Sequence, residues 1–195
     1  MVNHRIGPED QATLGLTTVR GWRLAGLRQA WVWSTSAVGG TALSVLSPYP
    51  AGRVEPVVVA EMSAEGMTQH AAHLKYWHSN DGTPYGYSLN APDSETEQVD
   101  LRLIERAAGE AMRCDILLHV FVSDLAGRPV LGRLAQRVAA RTAGWVFVEF
   151  QVPPSTRLLD HFETAGRCIR VNDYVYLDAL AMAAWCAHPD FHVIK

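Results

Sequence analysis

Apolar and polar positions are patterned most clearly between Cys114 and Phe150. Ile116 to Val122 is a nearly unbroken apolar run rich in branched and aromatic residues, the pattern of a strand buried on both faces. After the turn-like Asp124-Leu-Ala-Gly-Arg-Pro, apolar residues fall at Leu131, Leu134, Ala135, Val138 and Ala139. That i, i+3, i+4, i+7, i+8 spacing makes one apolar stripe on an α-helix. Arg133, Arg137 and Arg141 recur every four residues on another face, where water can solvate them. Pro129 suits the first turn of this helix and Gly144 its stop. Trp145-Val-Phe-Val-Glu-Phe then alternates as a second strand. The stretch 114–150 is therefore a candidate βαβ unit, right-handed if its two strands are parallel neighbours.

The same reading extends outward. Thr17 to Leu24 suggests a strand, and Trp31–Thr35 and Thr41–Ser47 flank Gly39-Gly40 as a hairpin. Val57-Val-Val-Ala-Glu reads as a short strand. Ser63 is placed to cap a helix running to about Trp77, with Met67, Ala71 and Leu74 on one face and His70, His73 and Trp77 on another. Ser79-Asn-Asp-Gly-Thr-Pro is a strong turn signal, and Tyr85 to Leu89 reads as a strand. The acidic, turn-rich stretch 91–97 is the best candidate for an internal boundary or mobile loop, and a helix follows from Thr96 to about Arg113. Downstream, Val152-Pro-Pro-Ser breaks the chain before a short helix over Thr156–Thr164 and a strand at Cys168–Val171. Asn172 or Asp173 then caps a last helix carrying Leu177, Leu180, Ala181, Ala184 and Trp185, and Phe191 to Ile194 closes the chain as a strand or extended tail. These elements predict an α+β fold: one domain over 1–195, a mostly antiparallel sheet packed by helices.

Composition narrows the function classes. With 195 residues, 48% hydrophobic and 19% charged, the chain can bury a sizeable core. A net charge of −3 offers no electrostatic case for nucleic acid or an anionic membrane. Cys114, Cys168 and Cys186 are widely spaced in apolar settings, as buried free thiols are, and favour a reducing cytoplasm. The opening MVNHRIGPEDQ lacks the apolar core of a signal peptide. Residues 29–52 carry no charge and are long enough to span a bilayer, but Ser, Thr and Gly interrupt them and Pro48 and Pro50 end them, which favours the hairpin. A cytoplasmic protein without a membrane span is expected.

Candidate chemistry is sparse. His70, His73 and His78, with Asp81 nearby, form the one metal-like cluster, but neither His-x-Glu nor His-Glu-x-x-His occurs there to supply a general base. Solvent-exposed or hydrogen-bonded histidines account for it better than a metal site does, so no metal ligand, catalytic residue or cofactor is assigned. His161-Phe-Glu163 lacks the Pro-Cys-x-x-Cys that a zinc deaminase requires. Gly21 to Arg28 has the glycine spacing of a phosphate loop but lacks its Lys and Ser/Thr. The most unusual composition is the aromatic-rich turn 76–87. Trp77, His78, Asp81, Tyr85 and Tyr87 there are the candidate partner-binding residues, since rigid aromatics give large contact area at low entropic cost. Asp81 with Asp93, Glu95 and Glu97 would add negative potential suited to a basic partner.

The last hundred residues carry a further pattern. A Leu-x-x-Leu-Ala helix (Leu131, Leu134, Ala135) ends at Gly144, and the chain finishes with Trp185, His188, Pro189, Phe191 and Lys195 in a Trp-x-x-His-Pro-x-Phe tail. This resembles a family of uncharacterised bacterial proteins that share the tail and are similar to the immunity proteins of polymorphic toxin systems. The resemblance implies a protein that binds a cognate toxin one to one and neutralises it without catalysis; it implies no site residues. Two alternatives stand beside it: a small metal-dependent hydrolase or nucleotide-processing enzyme using His70, His73 and His78, and a structural or adaptor module. Oligomeric state is left open.

Overall fold

A computed structural model describes residues 40–94, 96–122, 125, 127–171 and 174–194. The elements run in the order β1 (Thr41–Ser47), α1 (Ala51–Ala64), β2 (Thr68–Gln69), β3 (Tyr76–His78), β4 (Pro84–Asn90), a 3-10 turn at Pro92–Ser94, α2 (Gln98–Ala108), β5 (Cys114–Val120), α3 (Arg128–Thr142), β6 (Trp145–Glu149), α4 (Thr156–Ala165), β7 (Cys168–Val171), β8 (Tyr174–Leu177) and α5 (Ala179–Ala187). The expected strand at 17–24, the glycine-spaced stretch 21–28, the limb 31–35 of the expected hairpin, and Glu95, Asn172, Asp173 and Lys195 lie outside the described residues.

An apolar strand buried on both faces needs a partner on each edge, and β1 has both. It pairs antiparallel with β5 along its whole length, from Thr41 opposite Val120 to Ser47 opposite Cys114. On its other edge Val45 and Leu46 meet Val146 and Trp145 of β6, also antiparallel. The eight strands form one sheet in the order β2-β3-β4-β5-β1-β6-β8-β7, with every pairing antiparallel. The fold is α+β, as the periodicity predicts. Strands β5 and β6 of the 114–150 unit run parallel to each other, but they are not neighbours: β1 lies between them.

Alternation along the strands sends side chains to two different cores. One face carries Val45, Tyr85, Tyr87, Ile116, Leu118, Val146 and Leu177 beneath α1, α3, α4 and α5, which contribute Val58, Met62, Leu134, Val138, Phe162 and Trp185. The other face carries Leu46, Trp145, Ile169, Val171 and Tyr176 beneath Leu101 and Ile104 of α2.

Four expectations are corrected. The valine run 57–59 is helical, within α1, because Val54, Val58 and Met62 line up one turn apart and are at most 1% exposed in the larger core. The helix expected from Ser63 to Trp77 is absent; α1 ends there instead. Ser63 Oγ donates back to Val59 O (2.9 Å), and Gly66, at φ 78°, lets Met67 N reach Met62 O (3.2 Å) as a left-handed helix terminus does. Leu177 belongs to β8, and α5 is capped by Asp178, whose Oδ1 accepts from the amides of Leu180 and Ala181. The arginine row of α3 faces α1, not open water. Arg137 binds Glu61 (2.7 Å) and Glu65 (2.7 Å), Arg141 binds Glu61 (2.8 Å), and Arg133 binds Glu65 (2.5 Å).

The C-terminal motif is a packing device in this fold. Trp185 is 1% exposed, and its ring lies within 6 Å of those of Phe150, Phe162, His188, Phe191 and His192. Arg128 Nη1 donates to Val193 O at 2.7 Å, so the tail is also held to the start of α3.

Candidate functional site

The stretch from Met67 to Asn80 carries no Asp or Glu and no sustained apolar stripe, and it folds as the outermost hairpin of the sheet. Strand β2 pairs with β3 at Thr68–His78 and Gln69–Trp77, and β3 pairs with β4 at Trp77–Tyr85. The connecting turn is braced from inside. His70 N donates to Tyr76 O (2.8 Å), Tyr76 N to His73 O (2.8 Å) and Gln69 Nε2 to Leu74 O (2.6 Å). A side chain on this hairpin is thus presented from a hydrogen-bonded frame.

Alternation divides the five sequence-predicted residues. Trp77, Tyr85 and Tyr87 are 3%, 1% and 5% exposed and belong to the larger core. They are not surface groups, which corrects their assignment as contact residues. A turn brings aromatics to the surface only when no layer covers them, and here β3 and β4 point all three toward the helix layer. Trp77 Nε1 finds no hydrogen-bond partner, whereas Tyr87 Oη donates to Glu55 (3.0 Å) and Tyr85 Oη to Gly127 O (3.4 Å). Burial, then the Glu55 hydrogen bond and charge, push the Tyr87 phenol well above its ordinary range. His78 and Asp81 are exposed. The Asp81 carboxylate organises its own turn, its Oδ1 accepting from Ser79 Oγ (2.5 Å) and Thr83 N (3.0 Å), and these bonds hold it below the usual carboxylate range. It does not join the acidic stretch at Asp93 and Glu97. Those follow the far end of β4, which at about 3.3 Å per residue is about 20 Å away.

What the fold does assemble is a run of rings on the side of the hairpin opposite Trp77. His78 lies 6.0 Å from His70, His70 is stacked on His73 at 5.1 Å, and His73 meets Tyr76 at 5.9 Å. Tyr76 stacks on Phe121 at 5.3 Å, and Phe121 on His119 at 5.6 Å. Burial holds the His119 imidazole below its ordinary pKa. Tyr76 is 42% exposed and Leu74, at the turn, 64%. Sequence reading named neither as a contact: it placed Leu74 on a helix face, and Tyr76, which also opens the aromatic-rich turn 76–87, near the end of that helix. The signal for a hairpin was Gly66 followed by Thr68-Gln69, with Tyr76-Trp-His ahead of the Asn80-Asp-Gly turn.

The histidines gather, but among the described residues no three His, Cys, Asp or Glu side chains are placed to hold a metal ion. His161 and Glu163 have separate surroundings: His161 faces His188 at 5.6 Å, and Glu163 pairs with Arg170 at 2.6 Å. The three cysteines are free thiols, each pushed up to about 11, chiefly by burial. A cleft of about 210 Å³ is floored by Trp145, but Arg167 already covers that ring at 4.8 Å and donates to Ala107 O. Among the described residues no helix is long and apolar enough to cross a membrane. Set against protein-family models, curated proteins and solved structures, the chain matches none of them.

Proposed function

We propose that this chain is a cytoplasmic immunity protein, which binds a cognate bacterial toxin one to one and blocks it by occupancy rather than by turnover. The observation that carries this reading is the braced β2–β3 hairpin, which exposes His73, Leu74, Tyr76 and His78 at the edge of the sheet. Aromatic and aliphatic groups held in advance lose little conformational freedom on docking, so more of their contact energy appears as affinity. The tail motif at Trp185, His188, Pro189 and Phe191 supports the same reading through the family resemblance. Of the residues expected to touch a partner, only His78 and Asp81 are exposed and available as contacts, while Trp77, Tyr85 and Tyr87 are buried behind the hairpin.

Co-expression with a toxin encoded beside the gene tests the proposal. Growth should be restored, and the two chains should co-elute with a light-scattering mass equal to one copy of each. Unchanged toxicity, with the two chains eluting separately, sinks it.

A further inference from the structure

We propose that the outer edge of β7 is a docking site for an extended segment of another protein, which joins the sheet there as a further strand. This edge is the opposite end of the sheet from the β2–β3 hairpin, and its use is independent of the immunity reading.

In an antiparallel ladder, pairs that exchange backbone hydrogen bonds alternate with pairs whose N–H and C=O groups point away from each other. Asp178 N donates to Arg167 O at 3.0 Å, and these two residues are the next pair beyond Cys168 and Leu177. The bonded pairs are therefore Arg167–Asp178, Ile169–Tyr176 and Val171–Tyr174, and the backbone groups of Cys168 and Arg170 face outward. Among the described residues β7 ends the sheet, and no hydrogen bond reaches these outward groups. At the other end only one residue is placed this way: His70 N donates to Tyr76 O, so within β2 only Gln69 faces outward. Strand β7 contains neither Pro nor Lys, which guard many open edges, and its single charge, Arg170, turns back to Glu163 of α4 at 2.6 Å.

The flank of this edge is apolar. Ile169 and Val171 pack beneath Leu101 and Ile104 of α2. Asp100, Leu103 and Ala107 share another face of that helix, since their spacing is i, i+3, i+7. Asp100 accepts from the Tyr174 hydroxyl, and Ala107 O from Arg167 Nη2 at 2.6 Å, so this face is turned to the β7–β8 hairpin. Leu103 stands between these two tethered positions and is 41% exposed, with Val99 one turn before it at 68%. Donors and acceptors repeating every second residue are complemented by another extended backbone. The exposed leucine and valine are complemented by apolar side chains at alternate positions of that strand, on the face turned to α2. Recognition by strand addition combines these two features.

A random dodecapeptide library displayed on phage and panned on the full chain is the probe. Enriched peptides should carry branched or aromatic residues at alternate positions. Methylating the backbone nitrogens of the most enriched peptide one at a time separates backbone pairing from side-chain contact, because only every second amide faces β7. By fluorescence anisotropy, methyl groups in one phase should weaken binding about tenfold or more, and those in the other phase less than about twofold. Arg170→Pro removes an outward N–H that no bond of the sheet uses, and should weaken binding about tenfold or more with an unchanged circular dichroism spectrum. Arg170→Ala loses the same ion pair but keeps the amide, and should bind within about twofold of wild type. Leu103→Ser should weaken binding about fivefold. No enrichment, equal effects of methylation in both phases, or a peptide held as tightly by Arg170→Pro as by wild type overturns the proposal. So does a free chain whose light-scattering mass is that of a dimer in wild type and of a monomer in Arg170→Pro, which would give the edge to a second copy. Should Arg170→Pro fail to fold, Leu103→Ser decides, and binding equal to wild type refutes the β7 edge.

Discussion

At the scale of single residues, burial separates groups that look alike in the sequence. Trp77 and Tyr76 are adjacent aromatics, yet one is 3% exposed and the other 42%. Trp77→Ala should cost about 3–5 kcal/mol of stability, because it empties a core position. Leu74→Ser should leave the urea midpoint nearly unchanged, within about 0.5 kcal/mol. A melt with equal shifts for both would mean the hairpin faces the other way. The end of α3 gives a second contrast. Its left-handed terminal residue is Ala143, at φ 48°, while Gly144 is a glycine for lack of space: a Cβ there would meet Val45 Cγ1 at 2.8 Å and Leu46 O at 3.2 Å. Ala143→Gly should therefore stabilise by about 0.5 kcal/mol, the relief of left-handed strain exceeding the added unfolded-state entropy. Gly144→Ala should destabilise by about 1–3 kcal/mol. Thermal melts of the two variants read the signs directly.

At the scale of elements, α3 is held by two different forces on two faces. Leu134 is fully buried against the sheet layer, and Leu134→Ala should cost about 2–5 kcal/mol. Its arginine face is not indifferent. Arg137 joins both glutamates of α1 and its side chain is 31% exposed, so Arg137→Ala should cost about 1–3 kcal/mol, whereas Arg141, 53% exposed, should cost under about 1 kcal/mol. Burial alone would raise the Glu61 carboxyl, but the hydrogen bonds and charges of Arg141 and Arg137 outweigh it and hold the pKa below its ordinary value; Arg133 and Arg137 do the same for Glu65. A carboxylate depressed in the folded state contributes stability that is fully present above the unfolded value, about 4.3, and is lost as pH falls through the folded one. Urea melts between pH 6 and pH 3 should show that loss, and Glu61→Gln should make it shallower. Parallel pH profiles for the two proteins would rule out Glu61 as a source of the acid sensitivity.

At the scale of the whole molecule, the chain end is tied to its middle. Phe191 sits on Gly132 of α3 so closely that a Cβ there would lie 2.6 Å from Phe191 Cζ and 3.1 Å from Cys186 Sγ. Gly132→Ala should destabilise by about 1–3 kcal/mol. Phe191→Leu in the same chain should recover part of that loss, since the smaller side chain vacates the contested space. A double variant no more stable than the sum of the single changes predicts would mean that the two residues do not share that space. The Trp-x-x-His-Pro-x-Phe tail is thus accounted for by packing.

What the amino-acid order determined by itself was local and periodic. A 3.6-residue stripe at Leu131, Leu134 and Val138 specifies a helix face wherever the segment is placed, and alternation specifies β1, β4 and β6, because side-chain direction follows from backbone geometry alone. From these the α+β class was legible, and so was the buried core of the 114–150 unit. Which side of a helix meets water was not, because an arginine row reads the same whether solvent or Glu61 and Glu65 lie opposite. Nor was the state of 57–77, where a valine run favours a strand until Val54, Val58 and Met62 find a core to fill. The insertion of β1 between β5 and β6, and the turning of Trp77, Tyr85 and Tyr87 inward while Leu74 and Tyr76 remain outside, depend on residues far apart in the chain. Only the tertiary structure decides such matters, since burial is a property of what packs against a residue and not of the residue itself.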